Sequence, residues 1–73
     1  MKAPYILYRA RHNATGEETK ILYICRNTPR ARRLLRVDPE DVIFCGNLTE
    51  CEREAACVFT PRGYFFAGFQ QIQ

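Results

Sequence analysis

The sequence predicts a small α+β domain in which a mainly antiparallel sheet carries two short helices, in the order β-β-α-β-α-β. Three observations lead there. Two alternating apolar runs flank the turn signal Asn13-Ala14-Thr15-Gly16. Two helix-start signals follow, each after a short extended run. A final aromatic run, Tyr64 to Phe69, closes the chain.

Each element has its own signature. In Tyr5–Arg11, Ile6, Tyr8 and Ala10 fall on one strand face and Tyr5, Leu7 and Arg9 on the other. Thr19–Arg26 is its expected hairpin partner. Thr28-Pro29 then combines a good N-cap with the residue favoured at the first helical position. That helix is expected over Pro29–Val37, because Pro39 disfavours helical geometry at Asp38. Asp41–Cys45 is expected as a short strand ended by Gly46-Asn47. Thr49 and Glu52 spell a capping box, which predicts a second helix over Glu50–Cys57. Thr60-Pro61-Arg62-Gly63 places Pro and Gly at the second and fourth positions of a type I turn. Helices on one face of the sheet complete the expected architecture.

At 73 residues the chain is expected to form one domain, 1–73, with a marginal core. Its nine aromatics include no Trp, so the core is expected to rest on Tyr and Phe. The apolar stretch Ala3–Tyr8 is too short for a signal-peptide core, and no apolar run has the roughly 18 residues of a membrane span. A cytosolic location and no membrane partner are expected. On that reading the sequons at Asn13 and Asn47 stay unmodified.

Net charge is +3, but its distribution is uneven. Residues 1–37 hold nine Lys/Arg and two acids, a net of +7; residues 38–73 hold two Arg and six acids, a net of −4. A dipolar surface is expected, with one side suited to an anionic partner. The basic side concentrates on the first helix. At 100° per residue Ala31, Leu34 and Leu35 share one apolar stripe, while Arg32, Arg33 and Arg36 point away, with Arg30 at their edge and Arg26 just before. No acid interrupts this segment. Arg26, Arg30, Arg32, Arg33 and Arg36 are therefore the expected partner-binding residues, since Arg suits bidentate contacts to carboxylate or phosphate. The same face would also serve as a solvated surface.

Four cysteines, Cys25, Cys45, Cys51 and Cys57, invite a zinc or disulfide reading. No Cys-x₂₋₄-Cys knuckle occurs, and a fourth ligand would have to be the single His12. Cys51 and Cys57 on one helix would stand roughly 9 Å apart, beyond bridging distance. Cys25–Cys45, on what read as neighbouring strands, is the best-placed pair. Free thiols acting as small apolar residues are the main expectation, with Cys51 packed beside Ala55 and Val58 and Cys57 partly exposed. No metal and no cofactor are expected.

Nothing spells catalysis. His12 adjoins a turn, the four glycines form no phosphate cradle, and so short a chain leaves little room for a cavity of roughly 300 Å³. The expected function is a small non-enzymatic protein-binding module, an inhibitor or adaptor of a larger protein or complex, one that handles nucleic acid included. In format it is similar to small phage and mobile-element proteins that inhibit host machinery, a likeness that carries no residue with it. Direct nucleic-acid binding through the same arginines is the first alternative. A zinc-stabilised or self-associating module, with Glu50, Glu52 and Glu54 as its interface, is the second.

Overall fold

The computed structural model describes residues 3–71. Strand β1 (Tyr5–Arg11) pairs antiparallel with β2 (Glu18–Arg26), and on its other side with β3 (Val42–Gly46). Strand β4 (Phe65–Phe69) pairs with β2 in parallel, giving the order β3-β1-β2-β4. The element order is the predicted one and the sheet is mixed rather than purely antiparallel. Helix α1 spans Pro29–Leu34 and helix α2 spans Leu48–Glu54. A π-helical turn (Ala55–Phe59) and a 3₁₀ turn (Thr60–Arg62) lead into β4. Among the described residues no helix is long and apolar enough to cross a membrane.

The helices cover opposite faces of the sheet, not one. Leu7, Leu22 and Ile24 pack with Cys51 and Ala55 of α2 and its continuation. On the other face Ile6, Tyr8 and Cys25 pack with Leu35 and Val37, which follow α1. The cause is in the strands: β1 and β2 carry apolar residues at both alternations, so each face has to be buried.

Both helices differ from their predicted bounds for local reasons. Thr28 caps α1 as expected, its Oγ1 accepting from the Ala31 N–H at 3.1 Å. The helix stops early because Arg36 adopts a left-handed φ of 55°. The Arg36 N–H then donates to the Arg33 carbonyl and the Val37 N–H to the Arg32 carbonyl, which is a Schellman closure. This turn swings Val37 over the core in place of Leu34. For α2 the operative capping box is Asn47/Glu50, not Thr49/Glu52. Asn47 Oδ1 accepts from the Glu50 N–H at 2.8 Å, and Glu50 Oε1 accepts from the Asn47 N–H at 2.9 Å. Starting there sets Cys51 and Ala55, one turn apart, onto the sheet.

Candidate functional site: an arginine-walled groove

Covering two faces with two short helices leaves part of one face open. Helix α1 and its closing turn reach the Ile6–Cys25 end of their face, and the sheet beyond Tyr8 and Tyr23 is left as the floor of a groove. The groove is half open to solvent and holds about 1240 Å³ of space, more than the little room expected of so short a chain. Tyr8, Ala10, Ile21 and Tyr23 contribute to its lining from the strands. Tyr8 and Tyr23 stack with ring centroids 6.0 Å apart. Burial holds the Tyr8 hydroxyl well above the ordinary tyrosine range, so it stays protonated as a donor.

One wall is the end of α1. Arg32, Arg33 and Arg36 line the groove together with Leu34 and Leu35. The other two predicted residues, Arg26 and Arg30, line a smaller hollow of about 290 Å³ with Thr28, Ala31, Phe69 and Gln70. The five arginines are thus divided between two hollows that meet at Gln70, rather than lining one groove. Arg26 also lies 5.7 Å over the Tyr5 ring.

Leu34 departs most from the sequence reading. Predicted to face the core, it is 56% exposed. Ile21, on the groove floor, is 38% exposed. The site is thus apolar at its centre and basic at its wall.

The opposite end of the groove holds a charge cluster that no local pattern announced. Asp41 is only 1% exposed. Arg11 Nε donates to its Oδ2 at 2.9 Å and to its Oδ1 at 3.1 Å. Arg11 also donates to Glu40 Oε1 at 3.1 Å and to the Gly16 carbonyl at 3.0 Å, closing the hairpin turn. Arg9 bonds Glu18 at 3.1 Å and lies 3.8 Å from Asp41. The hydrogen bond to Asp41 holds the Arg11 guanidinium above its ordinary value. These arginines are committed to internal carboxylates, whereas Arg32, Arg33 and Arg36 make no ion pair among the described residues.

The thiols are all free, with Cys25 and Cys51 buried and Cys45 and Cys57 exposed. The expected Cys25–Cys45 pairing fails on topology. Both residues oppose Ile6, one from β2 and one from β3, so β1 stands between them. Two strand spacings, about 9.5 Å, exceed the roughly 7 Å a bridge tolerates. Burial pushes the Cys25 thiol up to about 11 despite the Arg32 charge nearby. Burial, with Cys45 adding to it, pushes Cys51 up to about 11. Among the described residues no group of three or more His, Cys, Asp or Glu is placed to hold a metal ion.

No family model, curated protein or solved structure matches the chain.

Proposed function

We propose that this protein is a non-enzymatic protein-binding module, an inhibitor or adaptor that grips an acidic and partly apolar surface of a larger protein or complex in the groove beside α1. The observation that carries the reading is Leu34, 56% exposed in a run of arginines above a floor that includes Tyr23 and Ile21. Interface hot spots combine apolar or aromatic anchors with Arg, ringed by polar groups that exclude water. A phosphate backbone would engage the arginines and leave Leu34 and Ile21 in water. A protein surface with a carboxylate beside an apolar side chain engages both.

The test is capture from a nuclease-treated host lysate, followed by titration with the purified partner. Three chains are compared: the parent, Leu34→Asp, and Arg32→Glu/Arg33→Glu/Arg36→Glu. A stoichiometric complex that survives nuclease and weakens at least tenfold in both variants supports the proposal. Capture abolished by nuclease and indifferent to Leu34→Asp moves the reading to direct nucleic-acid binding. A partner held equally by all three chains removes the groove from the function.

A further inference from the structure

We propose that the outer edge of β4 accepts an extended, acidic segment of a partner protein as a fifth strand of the sheet. The inference rests on the protein-binding reading but uses a different surface from the groove.

Strand β4 ends the sheet and, among the described residues, pairs only with β2. Its other side therefore presents backbone N–H and C=O groups that a further strand can satisfy. Edge strands are usually blunted by Lys, Pro or other charged residues. The stretch Phe65-Phe66-Ala67-Gly68-Phe69 contains no charge and no Pro, and its one irregularity is a bulge at Ala67, where Phe66 and Gly68 pair with consecutive residues of β2. Phe65 is 66% exposed and Phe69 is 42% exposed. The opposite edge differs: Val42, Ile43 and Phe44 of β3 are half-buried against the two cores.

The charges at the two ends of β4 choose between occupants. Arg62 lies three residues before the strand, and Lys20 sits 5.6 Å over the ring of Tyr64, the residue preceding it. At the far end, the hollow beside Phe69 and Gln70 is lined by Arg26 and, among the described residues, by no acid. A second copy pairing through the same edge about a two-fold axis must run antiparallel. That sets the Arg62/Lys20 end of one chain against the Arg26 end of the other, like charge on like. A strand with carboxylates near its ends and β-branched residues between them meets opposite charge at both ends and apolar rings in the middle.

The probe is a capped heptapeptide, Glu-Val-Thr-Val-Thr-Val-Glu, with its Lys-for-Glu counterpart as control. Each is titrated into the full chain while backbone amide exchange is followed by NMR, and the free protein is run in sedimentation. The expected result is a monomeric free protein in which the outward-facing amides of β4, those not already donating to β2, slow at least tenfold with the acidic peptide alone. Phe65→Asp should abolish this protection, and Leu34→Asp should leave it unchanged. Four outcomes overturn the proposal: unchanged β4 exchange, equal protection by the Lys peptide, protection confined to the α1 groove, or a free dimer whose β4 amides are already protected. Failure here with the groove variants still impairing capture would leave the protein-binding reading intact.

Discussion

Asp41 joins the hairpin to the third strand. Its carboxylate is buried where Arg9 and Arg11 of β1 meet the turn before β3. Removing it takes away the charged hydrogen bonds that join β1 to the turn before β3, while Arg9 and Arg11 keep Glu18, Glu40 and part of their water, so Asp41→Ala is expected to cost about 2 kcal/mol, read as a lower urea midpoint. Arg36 predicts the opposite sign. A non-glycine residue in left-handed geometry costs about 1 kcal/mol, so Arg36→Gly should raise stability by about that amount while weakening partner binding, because the lost guanidinium lines the groove. A gain in stability with unchanged binding would show that Arg36 has no part in recognition. The thiols divide in the same local way. Cys45 and Cys57 should react within minutes with a thiol reagent at pH 8, and Cys25 and Cys51 only on unfolding. Four equally fast thiols would contradict the burial of these two.

The elements show what could be read from the chain and what could not. The hairpin, the Thr28 cap and the turn at Gly63 rest on contacts within a few residues, and alternation, capping and turn chemistry located them. The end of α1 escaped because it depends on a left-handed arginine where glycine is the usual signal. The start of α2 was ambiguous in the sequence itself, since Asn47/Glu50 and Thr49/Glu52 both spell a capping box two residues apart. The ambiguity is open to test. Asn47→Ala should cost about 1 kcal/mol, and Thr49→Ala, which caps nothing, should leave thermal unfolding nearly unchanged. The reverse result would place the helix start two residues later. Sheet order, the parallel β2–β4 pairing and the Arg11–Asp41 contact join residues far apart in the chain, so no short-range pattern could announce them. The arginines of the candidate site were legible as a basic run. Their division between two hollows, and the exposed Leu34 among them, follow from where the helix stops.

The unevenness of charge along the chain becomes an unevenness across the sheet. Helix α1 brings its arginines to one face, and α2 brings Glu50 and Glu52 to the other. Each helix also helps seal a cysteine, Cys25 on the first face and Cys51 on the second, and burial raises both thiols from 9.0 to about 11. The consequence is a stability that fails in alkali. Between pH 9 and 11 the unfolded chain loses these protons while the folded chain keeps them. Folding then binds more protons than unfolding, and stability falls as pH rises. The slope should approach ~1.4 kcal/mol per pH unit for each thiol. A chain of this size is expected to have about 4–11 kcal/mol in total, so a shift of this size on both faces weakens the whole molecule. Urea unfolding at pH 7, 9 and 10.5 measures the effect. Stability should be flat to pH 9 and fall steeply beyond it. In Cys25→Ala/Cys51→Ala the baseline should be lower, from lost packing, and the alkaline slope shallower. An unchanged slope in the double variant would assign the alkaline loss to groups other than these thiols, Tyr8 first among them.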